Sequence, residues 1–193
     1  MINNIKEIKK LLVFENDDHF YHLQIIKRKK ENPEVGSNSY MVKTYYINSL
    51  EYLDFKYEEI INLCKFHNAR AYINLNRRSF ERMAYHTLKK ITDQILNKDF
   101  KSVRKAYESV SGTYSIEPHK KWIIDVDSDL DEDRLRIFLW ALLPVGNKTI
   151  AKIKTKNGYH LITSPFDLRE FRDSKFSDGL EVHKDNPTIL FIP

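Results

Sequence analysis

An α+β fold, with a mixed sheet and flanking helices, is what the sequence predicts, and three observations predict it. Apolar residues alternate with polar ones over short runs at 20–26, 40–47, 70–76 and 122–126, the mark of half-buried strands. They recur at helical spacing over 49–67 and 79–96. No repeat, low-complexity tract or flexible linker divides the chain, so 193 residues and 23.0 kDa read as one domain over 1–193. Two lobes are expected within it, about 1–118 and about 119–193.

Taken in order, Ile2 to Phe14 reads as a short amphipathic helix with Ile5, Ile8, Leu11 and Leu12 on one side. Strands over Phe20–Ile26 and Tyr40–Ile47 flank a polar loop that holds Lys27, Arg28, Lys29 and Lys30. Ser49 caps a helix to His67 whose apolar stripe includes Cys64, which makes that thiol a core residue. Along Arg70–Asn76, Ala71, Ile73 and Leu75 share one face, and Arg70, Tyr72, Asn74 and Asn76 share the other, with Arg77 and Arg78 beyond. Phe80, Ala84, Leu88, Ile91 and Ile95 mark the next helix, with His86 as a surface or packing residue, and a further helix is expected over Lys101–Val110. Asp129, Asp131, Glu132 and Asp133 crowd the first turn of a helix ending before Pro144, where they complement its dipole. Thr149–Lys154 and Tyr159–Thr163 form a hairpin about Lys156-Asn157-Gly158, and 165–176 is partly helical. Strands at Leu180–His183 and Thr188–Ile192 close the chain.

Composition narrows the function. No apolar run approaches the roughly 20 residues of a membrane helix, and no signal-peptide core is present, so a cytoplasmic protein without a membrane partner is expected. One cysteine allows neither an internal disulfide nor a cysteine zinc site. The net charge of +5 is uneven: residues 65–121 carry 13 Lys/Arg against 5 Asp/Glu, and residues 122–193 carry 10 against 12. A basic middle beside an acidic segment suits a metal-dependent enzyme acting on nucleic acid, although surface lysines alone give the same count.

The sharpest signal is Trp122-Ile123-Ile124-Asp125-Val126-Asp127, a buried-strand pattern carrying two aspartates. Alternation sends Asp125 and Asp127 to one face, where two carboxylates ~4 Å apart repel by about 4 kcal/mol at an effective dielectric near 20. Such a pair needs a cation, a shared proton or basic neighbours. A second phrase, Thr155-Lys156-Asn157-Gly158-Tyr159-His160-Leu161-Ile162, feeds a histidine into a strand.

Together these phrases resemble the catalytic core of the archaeo-eukaryotic primase superfamily, which includes phage and plasmid primase-polymerases. That family carries a hydrophobic strand ending in Asp-x-Asp, then a small residue and a histidine in a strand, then a carboxylate in a hydrophobic strand. Asp125-Val126-Asp127, Gly158-Tyr159-His160 and Leu180-Glu181-Val182 are similar to these in order. Lys156 stands where a second glycine is common, Glu181 replaces the usual aspartate, and Asp178 and Asp185 compete for its role. The resemblance implies an RRM-like catalytic sheet in the C-terminal half. It also implies Asp125, Asp127 and Glu181 as catalytic ligands of Mg²⁺ or Mn²⁺, and His160 as a contact to nucleotide phosphates.

Beside that, Lys154, Thr155 and Lys156 on or next to the hairpin are candidate nucleotide contacts. Arg70, Tyr72, Asn74, Asn76, Arg77 and Arg78 form a candidate nucleic-acid face, since aromatics stack on bases and guanidinium groups fork onto phosphates. The expected activity is a nucleotidyltransferase, a DNA primase or primase-polymerase that makes or extends primers. Its expected partners are a single-stranded DNA template, nucleoside triphosphates and a helicase or other replication partner. A metal-dependent nuclease and a non-catalytic nucleic-acid-binding module are the alternatives.

Overall fold

The computed structural model describes residues 1–36, 38–127, 130–174 and 177–193, and its fold is α+β, built on two antiparallel sheets. The first sheet centres on β2 (His19–Lys27), with β3 (Tyr40–Ile47) on one side and β4 (Arg70–Asn74) on the other. Beyond β4 come β10 (Pro187–Ile192) and the two-residue β1 (Ile2–Asn3), and β5 (Arg78–Ser79) pairs with the start of β2. The expected N-terminal helix is therefore shortened to α1 (Ile5–Lys9), because Ile2 and Asn3 pair with Ile192 and Phe191. The second sheet runs β7 (Thr149–Lys154), β8 (Tyr159–Thr163), β6 (Trp122–Val126), β9 (Glu181–His183).

One apolar core joins the sheets. Leu23, Ile25, Ala71 and Ile73 of the first sheet meet Leu53, Ile60 and Cys64 of α2 (Leu50–His67) and Ile123, Ile153 and Ile162 of the second. Ser49 caps α2 by accepting from the Tyr52 amide, and burial pushes the Cys64 thiol up to about 12, so it is inert. The far face of the second sheet packs Ile124, Val126 and Leu161 on Leu135 and Leu139 of α5 (Glu132–Ala141) and Phe171 of α6 (Leu168–Asp173). Asp131 caps α5 as the acidic run predicts; Asp129 lies outside the described residues.

Two polar devices hold the sheets in place. The buried Asn4 amide donates to the carbonyls of Lys154 (2.9 Å) and Ile189 (3.0 Å), tying the β7–β8 hairpin to the first sheet. The Asn76 amide donates to the Lys121 carbonyl (3.0 Å) and accepts from the Lys121 amide (2.7 Å), fixing the entry to β6.

Helix α3 (Phe80–Leu96) departs from expectation. Ser79 caps it and Met83 is buried, but Leu88 and Ile95 of the apolar stripe that marks it are 65% and 49% exposed. The expected second helix begins as a 3-10 turn at Val103–Lys105 and continues as α4 (Ala106–Ser111). His86 stacks on Tyr114 at 3.9 Å, a packing role.

Candidate functional site

The ladders of the second sheet bring the separated motifs into one row. Asp125 on β6 stands opposite His160 on β8 and opposite Glu181 on β9. Cross-strand partners share a face, so these three side chains lie on the side of the sheet that also carries Ile123 and Ile162. Asp127 follows β6 directly and is exposed, while Val126 between the two aspartates is buried on the other side. β-Branched and apolar residues make β6 a central strand, and the pairing register then aligns Asp125 with His160 and Glu181.

His160 is the half-buried anchor. Its Nδ1 lies 2.8 Å from the Thr188 hydroxyl on β10, and its Nε2 lies 3.5 Å from Asp125 Oδ1. Burial pulls its pKa below the ordinary histidine value; Asp125 and Asp127 oppose that, and His183 adds to it. The ring is therefore neutral at neutral pH. Asp125 Oδ1 is buried and accepts no hydrogen bond among the described residues, a costly state for a carboxylate oxygen. That orphaned oxygen, with Glu181 opposite it in the ladder, is the kind of donor that a hard cation such as Mg²⁺ or Mn²⁺ takes. Among the described residues no three His, Cys, Asp or Glu side chains converge closely enough to hold an ion unaided. Glu181 is the outlying member: its side chain is 78% exposed and sits 3.4 Å from His183.

His183 went unread in the sequence. It stands opposite Ile123, hence on the Asp125 face, and counting two residues on from Glu181 would have found it.

Gly158 is the motif residue with the clearest steric reason. A Cβ there would overlap the Val126 carbonyl oxygen and lie 3.2 Å from the Asp127 Cα, so the hairpin turn rests directly on the end of β6. Thr155 is buried and its hydroxyl accepts from the Gly158 amide at 3.1 Å. This makes Thr155 a staple of the turn, in place of the expected nucleotide contact. Lys154 pairs with Tyr159, one residue out of step with Ile153 and His160, so it points to the opposite face from His160. There it lines a pocket with Asn157, Tyr159 and Glu132, and it does not join His160 around one phosphate. Lys156 reaches across to Glu31 (3.1 Å), which also pairs with Arg70.

The predicted nucleic-acid face is corrected by its own bonds. Arg70 is buried and its Nε donates to Glu31 at 2.8 Å. Asn74 donates to the Asp185 carbonyl at 2.7 Å, and Asn76 is committed to Lys121. Arg77 is buried between Glu15 (2.9 Å) and Glu117 (3.3 Å). Arg78 is fully buried, donating to the Ser111 carbonyl (3.0 Å), Asn74 (3.2 Å) and the Asp185 carboxylate (3.0 Å). The polar side of β4 is thus an internal joint between the sheets, with Tyr72 alone left half-buried. Pairing with Arg78 also takes Asp185 out of contention as third carboxylate, and Asp178 is exposed outside β9.

Comparison of the chain with protein-family models, with curated proteins and with solved structures finds no match.

Proposed function

We propose that the protein is a metal-dependent nucleotidyltransferase, a primase or primase-polymerase working on single-stranded DNA. The observation that carries this reading is the row His160–Asp125–Glu181 across three strands, with a buried Asp125 oxygen that lacks a hydrogen bond. Asp125, Asp127 and Glu181 would hold Mg²⁺ or Mn²⁺, with substrate phosphates completing the shell. The ion supplies activation of a primer hydroxyl and charge neutralisation at the leaving pyrophosphate. The neutral His160, fixed through Thr188, presents a ring nitrogen toward the same face, suited to orienting a phosphate. With Arg70, Arg77 and Arg78 committed internally, the template track falls to Arg28, Lys29 and Lys30, which have no ion-pair partner among the described residues. Tyr72 is close enough to Arg28 for that charge to act on its hydroxyl.

The open spread of the carboxylates favours one alternative, a binding module that keeps the fold without turnover. Incubation with primed and unprimed single-stranded template, nucleoside triphosphates and Mg²⁺ or Mn²⁺ decides. Extension or de novo products support the proposal. Shortened strands would make the protein a nuclease, and binding alone would make it a module.

A further inference from the structure

We propose that Thr188 is a positioning residue that holds His160 as the Nε2–H tautomer, a ring that donates from Nε2 and serves neither as a metal ligand nor as a base. Thr188 on β10 pairs with Ile73 on β4, so its side chain lies on the side of the first sheet that packs on the second. It is fully buried there, out of reach of solvent.

The supply of donors and acceptors sets the tautomer. A threonine hydroxyl has one proton to give and two lone pairs. Among the described residues the Thr188 hydroxyl has a single partner, His160 Nδ1 at 2.8 Å. Were Nδ1 protonated, it would donate to the hydroxyl, whose own proton would then be buried without an acceptor. The Nε2 lone pair would also face Asp125 Oδ1, 3.5 Å away, an oxygen that is itself buried and without a hydrogen bond. With the proton on Nε2 both conflicts ease: the hydroxyl donates to Nδ1, and an N–H faces the carboxylate. The pair of Ser111 and His22 runs the other way round. There the hydroxyl gives its proton to the Glu108 carbonyl at 2.9 Å, so toward His22 Nε2 it can only accept. In His160, Nδ1 is engaged and Nε2 holds a proton, so no free lone pair is left for a metal ion or for a proton drawn from water. At 3.5 Å the N–H is beyond a full hydrogen bond to Asp125 and stays open to an anionic oxygen. That this oxygen belongs to a nucleotide phosphate rests on the function proposed above.

Nitrogen NMR of the full chain with labelled histidines, at neutral pH and without metal or nucleotide, reads the tautomer directly, and His160→Asn assigns the signals. A protonated Nε2 and a bare Nδ1 are expected, and this spectrum needs no variant to fold. Thr188→Val removes the hydroxyl at nearly constant shape and should shift the Nδ1 resonance, whereas Thr188→Ser should leave it in place. With a nucleoside triphosphate and Mn²⁺, Thr188→Val should weaken binding about tenfold and should add nothing to His160→Ala. A proton on Nδ1, protons on both nitrogens, an Nδ1 signal indifferent to Thr188→Val, or full additivity with His160→Ala overturns the proposal. A chain that binds no nucleotide fails the function proposed above, and the spectra still decide the tautomer.

Discussion

Gly158 and Val126 touch backbone to backbone, with no room between them for a single methyl group. Through this contact the β7–β8 turn is set against the end of β6, where Asp127 emerges. Gly158→Ala must push two backbones apart, so a loss of about 1–3 kcal/mol is expected, in line with overpacking elsewhere. Urea denaturation measures it. An unchanged midpoint would mean that the turn yields and does not fix the geometry of Asp127.

Asp125 and Asp127 place two carboxylates at and just past the end of β6. Replacing both by alanine should leave the fold as stable as before or more so, while abolishing any nucleotide transfer. Thermal shift separates this from general damage. Mn²⁺ with nucleotide should stabilise the unaltered chain by about 2.7 kcal/mol at a hundredfold excess over Kd, and leave the double variant unmoved. Equal stabilisation of both proteins would place the ion elsewhere.

His160 holds its ring through Thr188, 2.8 Å away on the other sheet. A lost hydrogen bond to a charged phosphate is worth about 1.5–3 kcal/mol, so His160→Ala should weaken nucleotide binding about 10- to 100-fold. Metal-induced stabilisation should survive in the variant. Calorimetric titration with nucleotide, and separately with Mn²⁺, reads the two effects. Loss of the metal response alone would make His160 a metal ligand.

Much of this site follows from alternation along strands. Asp125 falls opposite His160 once β6 and β8 pair, whereas Asp127 lies one residue past the strand, where alternation no longer sets its direction. The same parity excludes Lys154, whose neighbour in register is Tyr159; reading it only as close to the hairpin missed that. Arg77 and Arg78 could not be placed in this way. Their partners lie far along the chain, Asp185 being 107 residues from Arg78, and a polar strand face says nothing about what is packed against it. For α3 the helical period was readable, but a period reveals an apolar stripe without revealing whether the same chain covers it.

The Arg78–Asp185 pair joins the first sheet to the loop between β9 and β10, so it also sets the position of Glu181. Arg78 is fully buried and Asp185 is 30% exposed, so loss of the guanidinium leaves the Ser111 carbonyl and the Asn74 oxygen without their donor, at about 1–3 kcal/mol for each buried acceptor. Arg78→Met should therefore destabilise strongly, where a surface phosphate contact would cost nothing in stability. Asp185→Asn should be milder, because the amide oxygen still accepts from the guanidinium. Urea denaturation of both variants and the double variant gives the coupling. Additive effects would show that the two side chains do not act as a pair.

His22 supplies the last prediction, a pH dependence. It lies on β2 beneath α4, with Ser111 Oγ 3.4 Å from its Nε2 and the Tyr46 ring 5.9 Å away. Burial, with the nearby Arg78 charge, lowers its pKa from 6.5 to about 4. The folded protein therefore keeps the ring neutral over a range where the unfolded chain takes up a proton. Between pH 6.5 and about 4 the unfolded state binds more protons, so stability falls as pH falls through this window. The contribution reaches about 3 kcal/mol at the acid end, at ~1.4 kcal/mol per pKa unit. His160, half-buried and shifted the same way, adds to the slope. Urea midpoints across the window should drop steeply for the unaltered chain. His22→Gln, which cannot take up a proton, should flatten the curve. Parallel curves for the two proteins would mean that the carboxylates alone set the acid limit.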